Sequence, residues 1–332
     1  MAKRQVSARD VAELAGVSRA AVSRAFTPGA SIARETRARI EAAAEELGYQ
    51  VNHLARGLIT SSTGLVALIA AEVNTPYRSA LLAALTEQLQ ADGKVGILIN
   101  TDRSDDSVAK ALRQAIAYRT DAAIVLSGMP DSSLAETCRR NGMKLVLINR
   151  DEERPGSLMI RVGDADAGRQ AFAALRAAGC HRIALANSKA GTASLDDRAR
   201  GFREAAADAG VPILEEALGA TAYQTGLDLG TRLLSRTDRP DGVFCTTDLI
   251  ACGFMDAARR RLRLRVPQDL SVIGFDDIDQ AGWESYALTT FRQPVRKIAR
   301  AAVQGLAAPA TDAPQQRVVL TSRMVWRGTV KS

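Results

Sequence analysis

The chain divides into two textures of apolar spacing. Over the first fifty residues apolar positions recur at helical intervals in short blocks separated by glycines. Val11, Leu14 and Ala15 mark one face of a first helix that Ser7 and Asp10 open and Gly16 closes. Ser18 caps a second helix after only Gly16 and Val17, and this helix turns Val22, Ala25 and Phe26 inward. Arg19, Ala20, Ser23 and Arg24 are left together on its opposite face. A third helix over 34–47 buries Ile40, Ala43, Ala44 and Leu47, and Gly48 ends it. Two short helices joined by a glycine-containing turn form a helix-turn-helix pattern, and three such helices suffice for a minimal core.

From Leu65 onward the texture changes. Short continuous apolar runs (LVALIAA at 65, VGILIN at 95, AAIVLS at 122, KLVLIN at 144) alternate with amphipathic stretches, and the pattern continues with RIALA at 182, DGVFCTT at 241, LSVIGFD at 270 and ALTTF at 287. Continuous apolar strands between helices predict parallel sheets covered on both faces. Eight or more strands exceed one ordinary sheet, so two lobes of similar build are expected, with the break near 162. The expected fold class is an all-α helix-turn-helix headpiece plus a two-lobed α/β core of doubly wound parallel sheets. The stretch AAPATDAPQQ from Ala307 reads as a surface loop.

Charge sharpens this division. The net charge is +7, and residues 1–40 carry eight basic residues against three acids, so this tip holds +5 of it. A run of that kind is commonly a solvated face, but on a helix-turn-helix it suits a polyanionic partner. Cys138, Cys180, Cys245 and Cys252 lie far apart and mostly in apolar runs, which predicts buried free thiols rather than disulfides or metal ligands. The start MAKRQVSARD has no apolar run of a signal peptide, and no window approaches the ~20 apolar residues that span a bilayer, so a cytoplasmic protein without a membrane partner is expected. Two histidines, His53 and His181, with no glycine-rich phosphate loop, give no acid–base or nucleotide site; GDADAG at 163 is a poor glycine fingerprint. No enzyme, cofactor or metal is expected.

VSARDVAELAGVSRAAVSRAF, followed by ETRARIEAAAEELGYQVNHLARGL, closely resembles the headpiece of the lactose/galactose repressor (LacI/GalR) family of bacterial regulators. NTPY at 74–77, RARGF at 198–202, CTTDLIACG at 245–253, VPQDLSVIGFDD at 266–277 and LTTFRQP at 288–294 resemble later family landmarks in the same order. The resemblance implies a headpiece over 1–50, a hinge over 51–61 and an effector-binding core over 62–332 that is similar to the periplasmic binding proteins. The first lobe would comprise about 62–162 plus 293–321, and the second about 163–292 plus 322–332. It further implies a homodimeric regulator, in most cases a repressor, on a near-palindromic operator in double-stranded DNA. A small metabolite in the cleft would alter DNA affinity.

Carried over residue by residue, the family's base-reading positions are Arg19, Ala20 and Arg24, and Ser7, Ser18 and Ser23 match its phosphate contacts. Arginine can donate two hydrogen bonds to guanine, and alanine offers only apolar contact. Helix capping by the serines is an equally good account of them. In the hinge, Asn52, Ala55, Arg56 and Leu58 match, with Leu58 at the position that wedges into the minor groove. The effector positions are Asn74, Tyr77, Arg78, Asn149, Arg198, Thr221, Thr247 and Asp276. Thr247 replaces a frequent Asn, Thr221 a stacking aromatic and Arg78 a second aromatic. The pocket is thus less aromatic and more cationic, and either a sugar or an anionic sugar-type metabolite fits it. Ala21, Ala33 and Ile59 depart from the headpiece and hinge pattern, Ala33 by removing a helix cap. Nothing like a heptad segment follows the terminal strand RMVWRG, so a dimer rather than a tetramer is expected. A constitutive regulator with a vestigial pocket remains an alternative, as, more remotely, does an enzyme or solute receptor on the same core.

Overall fold

The computed structural model describes residues 6–27, 29–51, 62–102, 104–126, 132–150, 154–307 and 314–331. It separates into two compact units, Met1–Gly64 and Leu65–Ser332.

In the first unit, α1 (Ala8–Ala15), α2 (Arg19–Ala25) and α3 (Arg34–Leu47) close around Val11, Val22 and Ile40, with small alanines between them. The Asp10 carboxylate accepts from both the amide and the hydroxyl of Ser7 at 2.8 and 2.7 Å, which satisfies the start of α1. Gly16 ends it in the left-handed region, φ 63°, where a side chain would be strained. Ser18 Oγ accepts from the Ala21 amide and starts α2. At Ala33, α3 begins with no side-chain cap. Arg37 donates instead to the carbonyls of Ala25 and Ala30, which ties α3 to the end of α2 and the following loop. Phe26 lies against Tyr49 beside the core, ring centroids 5.8 Å apart.

The second unit holds two six-stranded sheets. The first collects β1 (Leu65–Ala70), β2 (Val95–Asn100), β3 (Ala122–Val125), β4 (Lys144–Ile148) and β5 (Leu158–Val162), with α4 (Pro76–Ala91), α5 (Asp105–Ala117) and α6 (Ser132–Arg140) between them. The chain then passes into the second lobe through α7 (Asp164–Ala177), β6 (Ile183–Ser188), α8 (Ala193–Asp208), β7 (Ile213–Leu218) and α9 (Tyr223–Leu234). β8 (Gly242–Cys245), α10 (Asp248–Asp256), a π-helical turn over Ala257–Arg261, β9 (Ser271–Asp276), α11 (Asp279–Gly282) and β10 (Thr289–Arg292) complete that pass. It returns to the first lobe for α12 (Val295–Gly305) and β11 (Gln316–Leu320), and ends in the second with β12 (Arg323–Val325). The strand orders are β11-β5-β4-β3-β1-β2 and β12-β10-β9-β8-β6-β7, parallel except for the β10–β12 pair.

Alternation explains the layering. On β1, Val66, Leu68 and Ala70 meet Leu81, Leu85 and Ile298 of α4 and α12, and Ala67 and Ile69 meet Val108, Leu112 and Cys138 of α5 and α6. Both faces are covered, so the strand reads as one apolar run. All four cysteines are buried and free. Among the described residues, no helix is long and apolar enough to cross a membrane, and no cluster of His, Cys, Asp and Glu could hold a metal.

In both sheets the strand order reverses beside the first strand of that lobe, β1 or β6, which opens a crevice at the carboxyl ends of the strands. Two helices that border it, α7 and α8, cross on glycine. A Cβ on Gly201 would lie 1.9 Å from the Ala165 carbonyl oxygen, and one on Gly168 2.2 Å from that of Arg198. Backbone opposes each, so neither neighbour can step aside. Gly201→Ala should therefore destabilise the core by about 3 kcal/mol or more, in the range of severe overpacking. Urea unfolding checks this, and a midpoint equal to wild type would show that the helices part at no cost.

Candidate functional site

On the headpiece, α2 presents Arg19, Ala20, Ser23 and Arg24 exposed and Val22 and Ala25 buried. The Arg24 Nε donates to the Ala20 carbonyl at 3.4 Å, which lays that guanidinium along the face. Ser18 is exposed at the N-terminal end of the same helix, and Ser7 is half-buried against Asp10. Asn52, Ala55, Arg56 and Leu58 lie outside the described residues.

In the core, a cleft of about 100 Å³ lies where the carboxyl ends of both sheets meet. Tyr77, Arg78, Asn149, Arg198, Thr221, Thr247 and Asp276 line it; Asn74 does not, and stands exposed in the turn before α4. Each lining residue follows a strand: Tyr77 and Arg78 after β1, Asn149 after β4, Thr221 after β7, Thr247 after β8 and Asp276 at the end of β9.

Arg198 is the centre of this arrangement. It is only 3% exposed, donates from Nε to Asp164 at 2.7 Å and from a terminal nitrogen to the Thr246 carbonyl at 2.9 Å, and lies 3.7 Å from Asp276. Its guanidinium sits 3.5 Å from the centroid of the Phe275 ring, a cation–π contact in a desolvated place. Asp276 in turn accepts from the Gln293 amide at 2.7 Å. Arg78 and Arg150 both donate to the Leu126 carbonyl, at 2.9 and 2.7 Å, so two guanidiniums from different loops stand together on the first-lobe side. Thr247 caps α10, and Thr221 shares a 2.8 Å hydrogen bond with Ser188. The Tyr77 hydroxyl and Asn149 Oδ1 are buried without a hydrogen-bond partner among the described residues. Such groups are expensive to leave unpaired, and in a cleft they mark places for a ligand's own polar atoms.

Residues 7–52 match the family described as bacterial regulatory proteins, lacI family, and residues 172–330 match the periplasmic binding protein-like domain. The HTH-type transcriptional repressor PurR of Yersinia pestis bv. Antiqua (strain Antiqua) is 30% identical over 298 residues, 89% of this chain and 87% of its own. The chain belongs to the lacI family of bacterial regulatory proteins. Its fold is that of the Lac repressor dimer solved with operator and the anti-inducer ONPF, with a TM-score of 0.88 at 24% identity over 99% of this chain and 100% of that one. A CelR–cellobiose complex is also similar, at a TM-score of 0.70 and 26% identity over 98% of this chain and 100% of that one. As a lacI-family member the protein is a DNA-binding transcriptional regulator, and its relatives are named as regulators rather than enzymes.

Several cleft residues of this lacI-family regulator escape motif reading. Glu72 and Arg150 lie in loops and Ser194 in the first turn of α8, none within a marked pattern, and Gln293 sits inside LTTFRQP with no sign of its inward turn. Asp164 was hidden in GDADAG; an acid opening a helix beside a lobe break was the one available signal.

Burial also sets the acid–base behaviour of this region. Desolvation raises Asp276 to about 6 against the pull of Arg198, and raises Asp248 to about 7 with help from the Asp276 charge. Asp248 is fully buried beneath the cleft, where its carboxylate accepts from Thr290 and from the Ile278 amide. Both carboxyls hold protons in the folded protein at pH values where the unfolded chain has released them. The stability they contribute is therefore lost as pH rises from about 4 through 7. Asp248→Asn, which keeps the shape and removes the charge, should flatten that fall and leave the protein more stable than wild type near pH 8. Urea midpoints across this range test it, and parallel pH profiles for the two proteins would exclude Asp248 as a source.

Proposed function

We propose that the protein is a homodimeric, cytoplasmic repressor that binds a near-palindromic operator in double-stranded DNA and is modulated by a sugar or sugar-acid metabolite in the interlobe cleft. The observation that carries the reading is the cleft itself, where the Tyr77 hydroxyl and Asn149 Oδ1 lie buried and unpartnered among charged neighbours. A polyhydroxylated ligand supplies the donors and acceptors these atoms lack. At about 100 Å³ the cleft suits a small, compact metabolite. The paired Arg78 and Arg150 favour a carboxylate or phosphate on that metabolite. The cellobiose complex of CelR is a precedent for a sugar on this core.

Operator recognition rests on the exposed face of α2. Its first turn enters the major groove, where Arg19 and Arg24 read guanine, Ala20 packs on a thymine methyl, and Ser7, Ser18 and Ser23 hold phosphates. The hinge over 51–61 joins headpiece and core. Its Asn52, Ala55 and Arg56 approach the minor groove, and Leu58 wedges in at the operator centre. Dimerisation has apolar surface available: Val95 and Leu98 stand 57% and 48% exposed on the edge strand β2, and Trp283 and Tyr223 are exposed on the second lobe.

Two outcomes follow. Selection of bound sequences from random DNA should return a two-fold symmetric site, and sedimentation should give a dimer; a monomer bound to an asymmetric site would refute the proposal. Arg24→Ala should cost about 1–3 kcal/mol on that operator and relax preference at one G·C pair per half-site, while Ser7→Ala weakens all sequences alike. Should Arg24→Ala lower affinity uniformly, Arg24 contacts phosphate and the base assignment fails.

A further inference from the structure

A second and larger cavity, of about 1260 Å³, shares a wall with the cleft: Tyr77, Asp276, Ile278 and Gln293 line both. On its other sides stand the first turns of α4 and α12 from one lobe, the Asp276–Gln280 turn from the other, and the crossover residues around 292–294 and 321–323.

Its charges do not balance. Arg296 and Lys297, in the first turn of α12, and Arg323, at the start of β12, line the cavity exposed, and none has an ion-pair partner among the described residues. Arg292 is held by Asp277, which also takes Arg327. Asp276 is engaged by Gln293 and Arg198, which leaves Asp279 as the lining acid without an ion pair among the described residues. An excess of two positive charges remains, on a rim where the start of α12 has no side-chain cap and adds its own positive end.

The wall asks for something different. Gln293 is 3% exposed, uses its amide nitrogen on Asp276, and leaves Oε1 without a partner. Gln280 Oε1 is likewise buried on the same cavity, with no partner among the described residues. Both are acceptors, so each calls for a hydroxyl or amide donor, not for an anion. A dianionic group at the rim and hydroxyls at the wall are combined in one class of compound.

We propose that this cavity is a second ligand site, distinct from the effector cleft, for a phosphate monoester of a polyhydroxy compound. The phosphate meets Arg296, Lys297 and Arg323, and the hydroxyls donate to Gln293 and Gln280. Such a ligand touches both lobes and two crossovers at once. Because Gln293 stands in the wall of both cavities, occupancy of this site bears directly on the cleft.

The test is calorimetric titration of the full-length protein with ribose 5-phosphate, fructose 6-phosphate and glycerol 3-phosphate, beside inorganic phosphate and the unphosphorylated sugars. At least one sugar phosphate should bind at one per chain, about tenfold or more tighter than inorganic phosphate or its free sugar. The exposed pair Arg296→Gln and Lys297→Gln should weaken it by about tenfold or more, and Asn149→Ala in the cleft should leave it unchanged. Failure of all three phosphates to bind overturns the proposal, as does inorganic phosphate binding equally well. Binding that survives the double variant and is lost in Asn149→Ala places the ligand in the cleft and overturns it too. Operator binding by the same samples is read separately, so none of these failures touches the regulator's action on DNA.

Discussion

A buried guanidinium holds the core together at the point where it would respond. Arg198 has left water almost entirely, and the cost of that transfer is offset by Asp164, Asp276, the Thr246 carbonyl and the Phe275 ring acting at once. Its partners are not scattered. Asp164 directly follows the first crossover at 162–163, and Asp276 is held by Gln293 within the second. The backbone repeats the tie, since Gly163 donates to the Leu320 carbonyl where the third crossover begins. One cation thus stands between the segments about which the lobes would turn. A ligand that competes for Asp276 redistributes charge at the crossovers themselves, so the response needs no long pathway.

The rest of the second lobe serves this placement. Arg198 reaches Asp164 only because α7 and α8 cross on Gly168 and Gly201, with backbone in contact where side chains would ordinarily intervene. Phe275 is presented under the guanidinium because Phe291 stacks on it, meets Phe244 edge-on, and Phe244 stacks in turn on Phe202. The Asp276–Ile278 turn, with left-handed backbone at Asp277, is pinned from below by the Asp248 carboxylate on the Ile278 amide. Strain and buried charge concentrate here, as they do where function outweighs stability.

Much of the fold was legible in the chain because burial on both faces turns a strand into an unbroken apolar word. LVALIA and KLVLI are such words. β5, β7 and β11 were not read, for a physical reason. LMIRV is interrupted by Arg161, whose charge is met by Asp197 far along the chain. ILEEAL and QRVVL are half-exposed edge strands with ordinary polar residues. The site divided the same way. Motifs located Arg198 and Asp276, but Asp164 lies 34 residues from its partner, and spacing says nothing about a pair made by helix crossing. Asn74 shows the converse: it belongs to the NTPY motif yet faces solvent, because the turn before α4 directs the following Tyr77 and Arg78 inward instead.

If Arg198 and Asp164 act as one unit, they must be coupled energetically and not merely adjacent. The direct measurement is a double-mutant cycle of Asp164→Asn and Arg198→Met, read by urea unfolding. Each single change should cost about 3–5 kcal/mol, because it strands a buried charged partner. The double variant should then be no worse than either, giving a coupling of about 3 kcal/mol or more. Additive losses, within about 0.5 kcal/mol, would contradict the account, since Arg198 and Asp164 would then be independent residues that happen to touch.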